Sequence, residues 1–176
     1  MKNWFILHVI DGTETKVAGI IKNKLNASEY VPFLPSKEII FRRAGISKIE
    51  KKLIFPGYVF VKTNREADRI LDELRWLLFS IKQVNSVLHY GGDKKDVAIR
   101  DDEVSVLERL FDKDHCITGS TGVIENGGLR ILSGPLAGLE ESVRKINRNR
   151  HEAVIELALM DKTMRISLLL NITSKT

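Results

Sequence analysis

Apolar positions along the 176-residue chain follow one pattern in the first two thirds and another in the last. Residues 4–10 are aromatic and aliphatic with little polarity, which predicts a buried strand. Asp11 stands three residues before Glu14, a capping-box spacing that can satisfy the free amides of a helix start. Val17, Ile20, Ile21 and Leu25 then recur at helical spacing, so one stripe of that helix faces a core. Residues 30–35 hold two prolines and predict an irregular or edge strand. Residues 37–53 predict a hairpin turning near Ala44-Gly45, and 55–61 (Phe-Pro-Gly-Tyr-Val-Phe-Val) a strongly β-prone segment. The clearest helix spans 65–81, with Ile70, Leu74, Leu77, Leu78 and Ile81 on one face. A strand over 84–90 and a shorter helix over 100–111 follow. Strands returning around two or three helices predict an α/β sandwich with an antiparallel sheet.

Residues 112–122 mix charge with Gly, Ser and Thr and lack periodicity, so they predict a linker. Beyond it come short strands at 129–132, 142–146, 153–159 and 164–170, separated by turn residues. Such a run predicts a small β-barrel, which protects its edges from aggregation. The fold class is therefore α+β in two domains.

Composition bears mainly on charge. With 43% apolar and 29% charged residues the chain has ordinary globular composition. No apolar run reaches the roughly 18 residues of a spanning helix, and the N-terminus lacks signal-peptide character, so the reading is a cytoplasmic protein without a membrane partner. The net charge of +5 is unevenly placed: +6 over residues 1–62, −3 over 63–114 and +2 over 115–176. Lys37, Arg42, Arg43, Lys48, Lys51 and Lys52 face only Glu38 and Glu50 in their segment. A basic face suits a polyanion, because cations that neutralise phosphates release condensed counterions. It is equally the composition of a solvated hairpin.

Enzymatic chemistry finds no support. Walker, dinucleotide and metalloprotease motifs are absent, and His8, His89, His115 and His151 are scattered. Cys116 is the single cysteine, with neither an activating base nor a metal-ligand spacing around it. The chain is read as a non-enzyme with no cofactor and no metal.

Two motifs carry more information. In the 55–61 strand, Tyr58 and Phe60 project to one face, with Trp4, Phe5 or His8 on a neighbouring strand; this is either core or a docking patch. In Arg130-Ile-Leu-Ser-Gly-Pro-Leu-Ala-Gly138, two glycines around a proline set a tight turn. With these residues in place, the sequence resembles the NusG family of transcription elongation factors over nearly its whole length. The Trp4-Phe5 strand, the Gly12-x-Glu14 helix start and residues 53–61 look like its NGN domain. Gly127 to Ile131, residues 133–138 and 143–146 look like its KOW motif, with Glu141 standing where that motif has Gly. Within the family the chain is most similar to the LoaP-type specialised paralogues, through residues 55–63, the Ile-Thr-Gly-Ser stretch at 117–120 and the basic turn at 145–150.

The resemblance implies an NGN domain over 1–111, a linker over 112–121 and a KOW barrel over 122–176. It implies docking on the clamp helices of RNA polymerase through Tyr58, Phe60, Phe55 and His8. LoaP-type paralogues are implied to bind a structured RNA hairpin in a nascent transcript and to promote antitermination of particular operons. For that RNA the positions implied are Arg42, Arg43, Lys48, Lys51 and Lys52, extended by Lys22 and Lys24, with Arg144, Lys145, Arg148 and Arg150 as a second patch on the barrel. The KOW domain is implied to reach other transcription or translation factors, and the chain is read as a monomer. A housekeeping NusG-type elongation factor and a KOW-containing RNA- or ribosome-binding protein are the alternatives. Some family members refold the KOW domain into helices; residues 153–160 can be written as a helix, while the alternating β-branched pattern favours the barrel.

Overall fold

A computed structural model describes residues 1–92 and 96–175, apart from the side chains of residues 67, 68, 73, 76–79 and 175. In chain order the elements are β1 (Asn3–Val9), α1 (Glu14–Lys24), β2 (Tyr30–Phe33), β3 (Ser36–Arg43), β4 (Ile46–Leu53), β5 (Tyr58–Thr63), α2 (Ala67–Ser80) and β6 (Val84–Val87). They continue with α3 (Asp101–Leu110), β7 (Cys116–Ile117), β8 (Ser120–Glu125), β9 (Gly128–Ser133), β10 (Val143–Asn147), β11 (Glu152–Leu159) and β12 (Lys162–Lys175). The chain divides into two units, Met1–Leu34 with Phe55–Val104 and Pro35–Ile54 with Ser105–Thr176.

The first unit is built on a four-stranded sheet in the order β2-β5-β1-β6. β1 runs antiparallel to β5 from Asn3↔Thr63 to His8↔Tyr58, and β2 pairs antiparallel on the far side of β5. Strand alternation sorts the side chains into two faces. Phe5, Leu7, Val9, Val59 and Val61 join Val17 and Ile21 of α1 and Ile70 and Leu74 of α2 in one buried core. Each such side chain contributes about 1.5–3 kcal/mol when fully buried. The helical stripe expected over 65–81 holds at Ile70, Leu74 and Ile81, while the side chains of Leu77 and Leu78 lie outside the described residues. Pro32 sits in β2 at the sheet edge, where a missing N–H costs no ladder bond.

The expected capping box at Asp11 and Glu14 does not form. Thr13 is the N-cap of α1, without a side-chain cap bond, and its hydroxyl donates back to the Ile10 carbonyl at 2.6 Å. Glu14 turns instead toward the Pro56-Gly57 turn, where its carboxylate accepts from the Gly57 amide at 2.6 Å. Gly57 has φ +80°, and a Cβ there would lie on the Asp11 carboxylate oxygen, so the turn admits only glycine without rearrangement. Burial alone would raise the Glu14 carboxyl, but the N–H groups of Gly57, Glu14 and Gly12 outweigh it and hold the group below its ordinary 4.5.

The second unit holds two sheets. β3 and β4 form the expected hairpin, with Ala44 (φ 49°) and Gly45 (φ 79°) both left-handed, as a two-residue type I′ turn requires. β3 also pairs in parallel with β7 through Ser36↔Cys116 and Lys37↔Ile117. The segment read from sequence as a linker therefore contains β7 and the start of β8, and the hairpin groups with the second unit rather than the first. Both differences have one cause: a two-residue strand carries no periodic signal, and its partner lies about eighty positions earlier in the chain.

The small barrel consists of five strands in the order β10-β11-β12-β8-β9. β12 pairs antiparallel with β11 and then in parallel with β8. Ala153, Ile155, Ile166, Leu168 and Leu170 are buried, and residues 153–159 take the strand form rather than the helical one, with Met160 in the turn that follows. At Gly134 (φ +97°) a Cβ would meet Ser120 Cα at 2.6 Å and Gly119 O at 2.7 Å, so close backbone approach accounts for that glycine. Where Glu141 replaces glycine, Glu140–Ser142 form a short 3₁₀ turn, and the Glu140 carboxylate accepts from the Ile131 amide at 3.2 Å.

The lowered Glu14 pKa gives a pH signature. A carboxyl more acidic in the folded state adds stability above its unfolded pKa and loses it as pH falls through the folded value. Glu14→Gln is expected to cost about 1 kcal/mol at neutral pH, by replacing a charge-assisted bond with a neutral one. Its urea midpoint should also fall less steeply than the wild type's below pH 4.5; parallel acid limbs would show that Glu14 carries no such linkage.

Candidate functional site

The aromatic motif of β5 divides between interior and surface. Tyr58, Phe60 and Lys62 share one sheet face with Trp4, Ile6 and His8 of β1, as the antiparallel register dictates. On that face Phe60 is buried, its ring stacked on Phe55 at 5.4 Å and tilted against Phe33 at 5.5 Å. Phe33 meets Trp4 edge-on at 5.2 Å, and Lys62 Nζ lies 4.4 Å from the Trp4 ring centre. Phe55 and Phe60 are thus buried, and of the four residues expected at the docking patch they lie deepest in this face. Their rings pack with Phe33 and Trp4 in one four-ring cluster.

Tyr58 and His8 remain half-buried, facing each other across the β1–β5 ladder at 5.3 Å between ring centres. Sequence reading missed Lys62 and Phe33. The signal for Lys62 was its period-two relation to Tyr58 and Phe60; Phe33 had none, since its pairing with Phe60 depends on sheet order.

The basic hairpin also divides. Its register puts Glu38, Ile40 and Arg42 of β3 on one face with Lys51, Ile49 and Ser47 of β4. Lys37, Phe41, Arg43, Ile46, Lys48 and Lys52 share the other. Arg42, Arg43, Lys48, Lys51 and Lys52 are all exposed, and so are the apolar side chains of Ile46 (71%) and Ile49 (62%). Lys48 is engaged with Glu50 at 2.5 Å and lies over the Phe41 ring at 5.5 Å. Lys37 is structural: its ammonium donates to the Ser167 carbonyl at 2.5 Å, and burial pushes its pKa down despite nearby Glu152. Lys51 helps hold the Asp112 carboxyl below its ordinary range, after the larger effect of the Cys116 amide.

On the barrel, Arg144 and Arg165 both bind the Glu156 carboxylate, at 2.9 and 2.8 Å. Hydrogen bonds from Arg165 and Arg144 hold that carboxyl below its usual range. Arg144 is thus partly neutralised, whereas Arg42, Arg43, Lys145, Arg148 and Arg150 make no ion pair among the described residues. Lys22 and Lys24 end α1 in the first unit, where cations also complement the helix dipole.

Within the second unit a cleft of about 570 Å³ separates the Ile40/Ile49 face of the hairpin from Thr121, His151, Leu169 and Asn171 of the barrel. Adjoining cavities bring Arg148 and Arg150 to its border. The two basic segments separated in sequence, 42–52 and 148–150, therefore flank one feature. Cys116 is wholly buried in β7. Among the described residues no group of His, Cys, Asp and Glu is placed to hold a metal ion, and no helix is long and apolar enough to cross a membrane.

The chain thus combines a helix-backed antiparallel sheet carrying an aromatic strand face with a barrel and a cationic hairpin. The family model described as "Transcription termination factor nusG" matches residues 2–108. The chain belongs to the NusG family of transcription termination/antitermination factors, which are transcription factors and not enzymes. It is 25% identical to the transcription termination/antitermination protein NusG of Buchnera aphidicola, over 95% of this chain and 92% of that one. It is 21% identical to the NusG of Thermus thermophilus, over 94% of each chain. With the Vibrio cholerae NusG it shares 22%, over 95% of this chain and 92% of the relative. A chain of a solved MjSpt4:Spt5 complex aligns over 94% of this chain and 91% of its own at 16% identity, with a TM-score of 0.32.

Glu156 offers a direct test of the barrel patch. Glu156→Gln releases Arg144 and Arg165, so the variant is expected to elute from heparin at higher salt than the wild type, since each freed cation adds a phosphate- or sulfate-binding charge. Unchanged elution would place those arginines outside the anion-binding surface.

Proposed function

We propose that this chain is a specialised NusG-family factor that docks on RNA polymerase and holds a structured hairpin of the nascent transcript, promoting processive antitermination of particular operons. The observation that carries the reading is the convergence of unpaired arginines. Arg148 and Arg150 of the β10–β11 turn line cavities that adjoin the cleft, and Arg42 stands on the hairpin face that lines it, two residues beyond Ile40. Structured RNA is bound through its backbone and its looped or bulged bases, and guanidinium forks suit phosphate geometry better than ammonium groups. In this reading residues 1–111 supply the polymerase-docking NGN domain and 122–176 the KOW domain, with Tyr58 and His8 at the polymerase contact. Such a factor acts by binding the active state of polymerase better than the paused one.

A housekeeping elongation role is the second reading. It is favoured by relatives that are termination/antitermination proteins aligned over nearly their full length. Deleting the gene separates the two: loss of distal transcription confined to a few long operons supports the specialised role, and a genome-wide change in elongation supports the housekeeping one.

Binding to the leader RNA recovered from the native host with the tagged chain tests the RNA contact. Replacing Arg42, Arg148 and Arg150 together by alanine should weaken binding at least about tenfold and reduce the slope of log affinity against log salt by about 2–3. An unchanged slope would remove these arginines from the interface. Tyr58→Ala should abolish co-purification with RNA polymerase while leaving RNA affinity intact; retained co-purification would exclude the Tyr58–His8 pair as the docking contact.

A further inference from the structure

The cleft beside the hairpin is more than a gap between cations. Its volume of about 570 Å³ falls within the range of small-ligand sites, roughly 300–1,000 Å³. Ile40 and Ile49 from the hairpin and Leu169 from β12 supply aliphatic surface. Thr121, His151 and Asn171 supply hydroxyl, imidazole and amide groups among them. Glu38 adds a carboxylate, one of whose oxygens is held by the Gly119 amide at 2.8 Å. Ile49 lines this space yet stays 62% exposed, an apolar side chain left uncovered.

The surroundings say what kind of ligand fits. One adjoining cavity shares His151 with the cleft and is lined by Arg148. Another shares Glu38, Ile40 and Leu169 and is lined by Arg150. Both arginines are exposed and make no ion pair among the described residues. An aliphatic slot with hydrogen-bonding groups, bordered by unpaired cations, matches a nucleotide in parts: a flat ring for the slot and anionic phosphates for its border.

We propose that this cleft captures one unpaired nucleobase of the bound RNA, while Arg148 and Arg150 hold the adjacent phosphates. The inference rests on the RNA reading above and makes it specific, because a fully paired stem keeps its bases stacked and cannot fill the slot. The aliphatic faces cover the ring, and the carboxylate, hydroxyl, imidazole and amide groups meet its polar edge. A bulged or looped nucleotide is thereby selected over a paired one, independently of the phosphate contacts shared by both.

The test uses the full chain with two RNA probes, a fully paired stem and the same stem carrying a single-nucleotide bulge with a fluorescent adenine analogue at the bulge. The wild type is expected to bind the bulged stem about tenfold more tightly and to change the analogue's emission on binding. Ile49→Ala, at a position exposed enough to leave folding intact, should bring the bulged stem to within about twofold of the paired one and leave paired-stem affinity unchanged. Arg148→Ala with Arg150→Ala should weaken both probes. Equal wild-type affinity for the two stems overturns the base cleft while leaving RNA binding standing; failure to bind either stem overturns both. Amide resonances of Thr121 and Asn171 that shift on adding polymerase but not the bulged stem would make the cleft a protein-docking site and also overturn the proposal.

Discussion

The register of β1 on β5 is the constraint on which the first unit depends. Strand side chains alternate with a period of two, so a one-residue slip would turn one strand over against the other, exchanging Phe5 and Leu7 for Trp4, Ile6 and His8, or Val59 and Val61 for Tyr58, Phe60 and Lys62. The core against α1 and α2 would then receive His8 or Lys62 in place of an aliphatic group. The register is pinned at one end by the Pro56-Gly57 turn, where the Gly57 amide donates to Glu14 and the Gly57 carbonyl accepts from the Val9 amide at 2.8 Å. A buried carboxylate 43 positions earlier thus helps decide which aromatic rings face inward. The same turn leaves Tyr58 half-buried opposite His8 while Phe60, two residues on, disappears beneath Phe55 and Phe33.

Electrostatics in the second unit follow from which cations have partners. Surface ion pairs contribute only about 0–1 kcal/mol each, so Lys48–Glu50 and the Glu156 pairs do little for stability. They matter because they occupy charge that would otherwise be open to a polyanion. Removing the partnered groups leaves Arg42, Arg43, Lys51, Lys52, Arg109, Lys113, Lys145, Arg148, Arg150 and Lys162 exposed and without an ion pair among the described residues. The cationic surface open to a polyanion is therefore narrower than composition suggests, and it is shared between arginine and lysine.

Much of this architecture was legible in the sequence where the signal was local. The Ala44-Gly45 turn, the strand at 4–10, the helical stripe of Val17 and Ile21 and the strands of the barrel all follow from short-range periodicity and turn chemistry. What escaped depended on distant partners. Nothing near Glu14 announces Gly57, and nothing in Cys116-Ile117 announces a strand partner at Ser36-Lys37. Alternation placed Tyr58 and Phe60 on one face but could not say that Phe33 and Phe55 would bury the second of them. Arg144 looked free because Glu156 reaches it only once β10 and β11 pair.

The place of β12 also bears on how the protein is made. It follows every other strand of its sheet in sequence and is the central strand of that sheet, with β10 and β11 to one side and β8 and β9 to the other. During synthesis the β8–β9 and β10–β11 hairpins emerge first and have no strand to join them. The β3–β4 hairpin emerges earlier still, and its parallel partner β7 follows only after α3. All strands of the first unit, by contrast, are present once β6 has left the ribosome. The order of translation therefore completes the aromatic sheet before the cationic barrel, because domains fold as units as the chain is extended.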